Sequence, residues 1–239
     1  NAVRAVAVGY DYAPIGYAAA SVILLADGTV KITGGGNWFQ ATNSTVPVTV
    51  NGLANVIDIK GNATTCYALT ANGDVYSFGR QMQLGSVFIP SLGTGVTDGS
   101  LHQPAKIDFP AGAGKIVALS SNNDGYHCFA LDSSHNLFAW GYNVYGQLGC
   151  GDTIDRATPI FVASNVLDIF AGENFSYILK ADSTLWSTGS SGYPQVPEYD
   201  YGSIWMNLPN IKRSTFTQIS PHHCPNEFMC AKSMGRCAS

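Results

Sequence analysis

The feature that most constrains the fold of this chain is a hairpin motif that the sequence repeats. Residues 66–79, CYALTANGDVYSFG, return at 128–141 as CFALDSSHNLFAWG, and looser copies occupy 23–34 and 178–189. Each copy has an apolar strand pattern, a short polar turn, a second strand pattern and a final glycine. A repeated unit of this kind buries its apolar face only by stacking on its neighbours. The repeat is therefore a stronger indicator of the architecture than any single residue.

The turns of the four copies align on Gly28, Gly73, His135 and Ser183, which are 45, 62 and 48 residues apart. A further strand pattern precedes each hairpin, at 3–9, 56–61, 116–120 and 166–172. A weaker fifth copy has its first strand at 216–220 and a hairpin at 228–239, with Gly235 at the turn.

This period, with strict alternation inside the strands and no helical periodicity, predicts an all-β repeat fold. We expect a single β-propeller domain over residues 1–239, built of about five small antiparallel sheets. Pairing of the N- and C-terminal strands would close such a ring and remove its open edge. Two alternatives remain at this point: a fragment of a seven-bladed ring, or an open array that another chain completes.

Composition excludes some partners. Charged residues make up 12% of the chain, about half the usual share, the net charge is −4, and no basic run is present. We therefore expect no nucleic-acid partner, because phosphate binding needs a Lys/Arg surface. The longest apolar stretch, residues 18–26, is too short to cross a bilayer, which argues against membrane insertion.

The cysteines do not predict a metal site or a disulfide framework. Cys66 and Cys128 occupy the same position in two repeats, so we expect both to be small buried side chains. Cys224, Cys230 and Cys237 follow a His-His pair with irregular spacing, which favours strand and loop residues with room for one disulfide over zinc binding. No cofactor is predicted.

No catalytic motif is present in the sequence. The chain lacks the GxSxG, HExxH and P-loop patterns, and its repeated carboxylates belong to the hairpin turns, where Asp favours local backbone hydrogen bonds. These turn carboxylates are Asp27, Asp74, Asp132 and Asp182. The expectation is that the protein is not an enzyme.

Residues 139–153, AWGYNVYGQLGCGDT, strongly resemble the repeat of the regulator of chromosome condensation (RCC1) family. The resemblance implies a propeller, in which Gly146, Gly149 and Gly151 let the chain turn sharply as it leaves the sheet. The founding member is a nucleotide-exchange factor that uses an inserted wedge and basic segments, and no positions here match those parts. Other proteins with similar repeats are secreted β-lactamase inhibitors, bacterial surface proteins and phage tail proteins.

Departures from the repeat are the candidate binding residues. In the fourth repeat, residues 192–205 replace the expected loop and place Tyr193, Tyr199, Tyr201 and Trp205 among prolines and two acids. Trp38 and Phe39 follow the first hairpin in a similar way. Such aromatic residues give a large contact area at low entropic cost, and the alternative is that they pack on the neighbouring sheet. The insert at 86–103, rich in Gly, Ser and Thr, predicts a mobile surface loop.

The sequence thus predicts a non-enzymatic recognition or adhesion module that binds a cell-surface glycan or protein through its variable loops. The low charge and the abundance of Thr, Asn and Gly favour a viral tail or a secreted bacterial protein, and so an extracellular or virion location. The alternatives are a protein inhibitor or regulator of an enzyme, a self-assembling structural subunit of a filament or virion, and a nucleotide-exchange factor.

Overall fold

Four antiparallel sheets, each of four strands, make up the described part of the chain. The computed structural model describes residues 2–8, 20–34, 44–189 and 202–212. We call each four-stranded sheet a blade and number the blades in chain order. In every blade the strands lie side by side in chain order, so that each is a simple up-and-down meander. The predicted all-β repeat architecture is confirmed.

The strands of the first two blades are as follows. Blade 1 contains β1 (Ala2–Val8), β2 (Ala20–Leu25), β3 (Val30–Gly34) and β4 (Ser44–Thr49). Blade 2 contains β5 (Val56–Gly61), β6 (Thr65–Thr70), β7 (Val75–Arg80) and β10 (Leu101–Lys106). A separate two-stranded hairpin, β8 (Gln83–Leu84) with β9 (Val87–Phe88), is inserted between β7 and β10.

The last two described blades follow the same plan. Blade 3 contains β11 (Ile116–Ser121), β12 (His127–Asp132), β13 (Leu137–Gly141) and β14 (Arg156–Ala163). Blade 4 contains β15 (Val166–Ala171), β16 (Phe175–Lys180), β17 (Thr184–Gly189) and β18 (Gly202–Lys212). The four strand patterns that precede the hairpins in the sequence are therefore β1, β5, β11 and β15.

The tight turns of the hairpins fall on the four aligned residues. Gly28 and Gly73 have φ angles of 80° and 90°, and His135 and Ser183 have 63° and 66°. All four lie in the left-handed region, which glycine enters freely and other residues enter at a cost. A Cβ at Gly73 would lie 2.9 Å from the backbone nitrogen of Ile116, so the turn of blade 2 also packs against the first strand of blade 3.

Successive blades stack through their first strands. β5 contacts both β1 and β11, and β11 contacts β15. The first strand of each later blade contributes two aliphatic side chains to the apolar cluster shared with the blade before it. These pairs are Val56 with Ile59, Ile116 with Leu119, and Val166 with Ile169. The core is therefore a series of clusters between neighbouring blades, as expected for a repeat fold.

Two cysteine predictions are confirmed, because Cys66 and Cys128 are both fully buried free thiols in these clusters. Within the described ranges, no helix has the length and apolar character needed to span a bilayer. The same residues hold no group of three His, Cys, Asp or Glu side chains suited to a metal ion. The predicted fifth copy, including Gly235 and the three C-terminal cysteines, lies outside the described residues, as does any pairing of the two chain ends.

Candidate functional site

The candidate site lies at the end of the blades where the third strand leaves the sheet. We call the connection from the third to the fourth strand of a blade its exit loop. The described exit loops are 81–100 in blade 2 and 142–155 in blade 3. In an up-and-down meander the connection from the first to the second strand lies at the same end of the blade. The described connections of this kind are 62–64, 122–126 and 172–174, in blades 2, 3 and 4. We call this end of the array the exit face.

A glycine is the last or the penultimate residue of each third strand on this face. Gly141 has a φ of 100°, and a Cβ there would collide with the carbonyl oxygen of Tyr126, the residue before β12. Gly189 in blade 4 has the same geometry against Asn174. Any side chain would therefore force the exit loop away from the sheet.

The exit loop of blade 2 corrects one prediction. The Gly/Ser/Thr-rich insert 86–103 was expected to be a mobile surface loop, but Ile89, Ser91 and Leu92 within it are buried. The side chains of blade 2 hold this segment: the hydroxyl of Tyr67 donates to the Ser91 carbonyl at 2.6 Å, and that of Ser77 donates to the Leu92 carbonyl at 2.6 Å. The part of the insert next to β9 is thus a packed component of the fold.

The same segment joins blade 2 to blade 3. The indole nitrogen of Trp140 donates to the Ser91 carbonyl at 3.2 Å, and the Ser91 hydroxyl is 2.7 Å from that of Thr65. Trp140 and Tyr67 also meet edge to face, with ring centroids 5.7 Å apart. Ser91 is therefore a junction between the two blades.

The exit loop of blade 3 is organised by Asn143, whose side chain is buried. Its Oδ1 accepts from the backbone nitrogen of Leu148 at 2.9 Å, and its Nδ2 donates to the carbonyls of Asp152 and Ile154 at 2.9 and 3.2 Å. Its own backbone nitrogen donates to Oδ1 of Asp155 at 2.7 Å. The side-chain amide of Asn143 thus connects the middle of the loop, at Leu148, to its C-terminal part, at Asp152 and Ile154. This role needs a short side chain that both donates and accepts hydrogen bonds, as an amide does.

This loop in turn reaches blade 4. The hydroxyls of Ser176 and Thr188 donate to the carbonyls of Gln147 and Gly146 at 3.0 and 2.7 Å. Nε2 of His127 lies 2.9 Å from the Ser176 hydroxyl, and because that hydroxyl donates to Gln147, the histidine is the donor. Complete burial lowers the pKa of His127 to about 3, so the ring is neutral at physiological pH.

Three tyrosines cluster on the exit face above this framework. The rings of Tyr126 and Tyr142 are 6.3 Å apart at 79°, and those of Tyr142 and Tyr145 are 6.1 Å apart at 75°. All three side chains are half-buried. Tyr126 precedes β12 while Tyr142 follows β13, and the backbone nitrogen of Tyr142 donates to the Tyr126 carbonyl at 3.1 Å. Strand pairing therefore brings together residues that are far apart in sequence.

Exposed apolar side chains border this tyrosine cluster. Val144, between Tyr142 and Tyr145, is 50% exposed. The hydroxyl of Tyr126 lies 2.8 Å from Sδ of Met82 at the base of the β8–β9 hairpin, where Leu84 and Val87 are 46% and 60% exposed. A preformed surface of aromatic and aliphatic groups is suited to binding rather than to catalysis.

The chemistry of the described residues gives no acid–base pair. Asp27 accepts a hydrogen bond from the backbone nitrogen of Thr29, and Asp182 accepts from the hydroxyl and the backbone nitrogen of Thr184. These bonds lower the pKa of each carboxyl, and both residues are exposed. Burial raises the pKa of the Cys66 and Cys128 thiols, so neither is a ready nucleophile. Asp27, Asp132 and Asp182 thus accept local backbone hydrogen bonds as predicted, whereas the Asp74 carboxylate forms an ion pair with Lys106 at 2.6 Å.

The aromatic residues that the sequence singled out are not tested by the structure. Trp38, Phe39, Tyr193, Tyr199 and Tyr201 lie outside the described residues. Trp205 belongs to β18, so the expected loop 192–205 ends in a strand from Gly202 onward, which corrects its predicted extent. The tyrosine cluster was missed, although the signal was present in the spacing of Tyr142 and Tyr145 within the most specific repeat.

Comparison with known proteins identifies the repeat. The family model for the regulator of chromosome condensation (RCC1) repeat matches residues 134–179, and a second model of that repeat matches 116–147. Both contain β13 and the start of the exit loop that Asn143 organises. Residues 116–179 thus match the RCC1 repeat, which confirms the resemblance of residues 139–153 to that repeat.

Relatives of this RCC1-repeat chain include the ultraviolet-B receptor UVR8 of Arabidopsis thaliana, 31% identical over 162 residues that cover 65% of this chain and 34% of UVR8. Among solved structures, human WBSCR16 matches with a TM-score of 0.67 at 17% identity, covering 85% of this chain and 52% of that one. Prp20p from Saccharomyces cerevisiae matches at 0.66 and 17%, covering 88% and 51%. These likenesses confirm the β-propeller class, and the chain spans only about a third to a half of each relative.

Proposed function

We propose that this RCC1-repeat chain is a non-enzymatic binding module that holds a protein partner against its exit face. The observation that carries the proposal is the cluster of Tyr126, Tyr142 and Tyr145 beside the exposed Val144. Tyrosine supplies a large contact area with few rotatable bonds, and residues of this type dominate the binding energy of protein interfaces.

The way in which the site is built supports the same function. Asn143 fixes the loop that carries Tyr142 and Tyr145, and hydroxyls of blade 4 hold the carbonyls of Gln147 and Gly146 on the same loop. A surface ordered before binding loses little conformational entropy when a partner binds. The structure of Prp20p is described together with its binding to Gsp1p and histones, so at least one protein of this fold binds other proteins.

Several finer predictions stay open within this proposal. A glycan ligand, a viral or secreted bacterial setting and an extracellular location remain predictions, as do the roles of Tyr193, Tyr199, Tyr201, Trp205, Trp38 and Phe39. An inhibitor or regulator of an enzyme is one form of the proposed protein-binding module. A self-assembling structural subunit is the form in which the partner is a second copy.

The test is site-specific photo-crosslinking in the source cells. A photoreactive residue replaces Val144 on the exit face or, as the matched control, Ile57, which is 56% exposed at the start of β5 at the opposite end of the blade. We expect a discrete protein adduct from position 144 alone, lost in the Tyr142→Ala/Tyr145→Ala double variant.

Equal labelling from positions 144 and 57 would overturn the proposal. So would the absence of any adduct combined with saturable binding of the chain to a glycan array. An adduct between two copies of the chain would assign the face to self-assembly.

A further inference from the structure

Resting on this proposed function, we propose that the tyrosine cluster and the carboxylate of Asp155 together receive a cationic side chain, lysine or arginine, of the protein partner. The proposal names the chemistry of the group that the exit face recognises. It is carried by ring geometry, by the surroundings of Asp155 and by the charge of the connections around them.

The geometry of the rings is suited to a cation. Tyr142 stands nearly perpendicular to both Tyr126 and Tyr145, at centroid distances of 6.3 and 6.1 Å. Perpendicular rings at this spacing form the walls of a corner, and a cation is attracted to an aromatic face within about 6 Å of the ring centre. A side chain in this corner would be near more than one ring.

A negative charge lies beside this corner. Oδ1 of Asp155 accepts from the backbone nitrogen of Asn143, the residue that follows Tyr142, at 2.7 Å. The carboxylate of Asp155 also lies near enough to Tyr142 to help raise the pKa of its hydroxyl, after the larger effects of burial and of Tyr145. The anion is therefore fixed by the same loop that carries two of the tyrosines.

The charge of Asp155 is only partly compensated. Burial raises the pKa of its carboxyl, and the hydrogen bond from Asn143 and the charge of Arg156 offset this in part. The Arg156 guanidinium itself donates to Oδ2 of Asp152 at 2.5 Å and to the Ile154 carbonyl at 2.6 Å. Among the described residues, no ion pair to Asp155 is formed within 4.0 Å, so a cation from a partner would complete the site.

The described connections of the exit face carry a negative charge, which is complementary to a cationic side chain. Segments 62–64, 81–100, 122–126, 142–155 and 172–174 contain no lysine or arginine. They contain five carboxylates, namely Asp98, Asp124, Asp152, Asp155 and Glu173. An acidic face of this kind attracts a basic protein surface and repels nucleic acid and anionic lipid.

The experiment is an NMR titration of the full 239-residue chain with ¹³C-labelled tyrosine rings, assigned through single Tyr→Phe variants. The probes are the N-acetyl amides of lysine and arginine, with the norleucine amide as the uncharged match. We expect saturable shifts of the Tyr126, Tyr142 and Tyr145 ring signals with the cationic probes alone. Asp155→Asn keeps the acceptor for Asn143 and should weaken binding about fivefold or more, whereas Asp98→Asn should not.

Equal shifts with the norleucine amide, or unmoved ring signals with either cation at a probe concentration of about 0.1 M, far above any useful affinity, would overturn the cation site. The two proposals fail separately. If the adduct at position 144 forms equally in wild type and in Asp155→Asn, the binding module stands and the cation site falls. If the ring signals respond to lysine while no adduct forms, the cation site stands without the proposed partner.

Discussion

The indole nitrogen of Trp140 in blade 3 donates a hydrogen bond to the carbonyl oxygen of Ser91 in the exit loop of blade 2. This contact spans 49 residues of sequence and connects two sheets through a segment that resembles a flexible insert. Blade 3 repeats the arrangement with blade 4, where Ser176 and Thr188 bind carbonyls of the preceding exit loop. The exit loops of blades 2 and 3 therefore link each of these blades to the next one on the face where the tyrosines lie.

Trp140→Phe should lower the free energy of unfolding by about 2 kcal/mol, because the smaller ring leaves a cavity and the hydrogen bond to Ser91 is lost. Chemical denaturation measures the change. Phe161→Leu, at a side chain that is largely exposed on β14, is the matched control and should cost less than about 1 kcal/mol. Equal losses in the two variants would show that the Ser91 junction adds nothing.

Gly141→Ala should cost about 3 kcal/mol or more, because the residue is at φ 100° and the new Cβ would collide with the Tyr126 carbonyl. Gly52→Ala is the control: Gly52 has a φ of 85° but no atom within 4 Å of the added Cβ, so only the backbone cost of about 1 kcal/mol applies. Thermal unfolding of the two variants separates steric from conformational effects. Similar losses would contradict the close approach of the two strands.

Asn143→Ala should lower stability by about 3 kcal/mol, since it leaves the Leu148 nitrogen and the carbonyls of Asp152 and Ile154 without their shared partner. Hydrogen exchange at the Leu148 amide should quicken more than exchange in the blade cores. Asn122→Ala, which removes a single exposed contact to the Asp124 nitrogen, should change neither quantity appreciably. Unchanged exchange at Leu148 in Asn143→Ala would refute the assigned role of Asn143.

Stability should fall as the pH is lowered from 6.5 toward 3, in part because of His127. Its folded pKa of about 3 lies below the ordinary value of 6.5, so the unfolded state binds more protons in this window. The contribution is at most about 1.4 kcal/mol per pH unit. His127→Gln keeps a donor toward Ser176 and should flatten the dependence by about 2 kcal/mol between pH 7 and pH 4.5, measured by urea unfolding. A parallel pH profile in the variant would contradict this origin.

Sequence periodicity predicted the scaffold well because each unit is defined locally. The residues aligned as turns, Gly28, Gly73, His135 and Ser183, all have positive φ, and a backbone that must enter this region selects a recognisable short polar pattern. The first strands β5, β11 and β15 also start where the sequence places them, at Val56, Ile116 and Val166.

The prediction that the insert 86–103 is a mobile surface loop was wrong, because amino-acid composition does not show where a segment lies in the fold. Its glycines, serines and threonines are typical of surface loops, yet Ile89 and Leu92 anchor it in the core and Ser91 binds through its backbone carbonyl. Every residue has a backbone carbonyl that can accept a hydrogen bond, so the identity of Ser91 does not indicate this role. The side chains that donate to this carbonyl, Tyr67 and Trp140, can be identified in the sequence, but their pattern is equally typical of core residues.

The candidate site was missed for a related reason. Tyr126 and Tyr142 lie on either side of a hairpin, and only the pairing of β12 with β13 places them together. The sequence instead drew attention to aromatic residues in irregular segments, which the described part of the structure leaves untested. Repeat loops and irregular loops cannot be ranked as binding sites from one sequence, because both contain tyrosines.

The central claim, that the tyrosine cluster on the exit face binds a protein, is tested most directly by the affinity of that protein for two variants. Calorimetry would compare the partner captured at position 144 with wild type, with Tyr142→Ala and with Ile57→Ala. We predict a loss of about tenfold or more for Tyr142→Ala, as for a central interface residue, and an unchanged affinity for Ile57→Ala. Equal affinity of all three proteins would contradict the account.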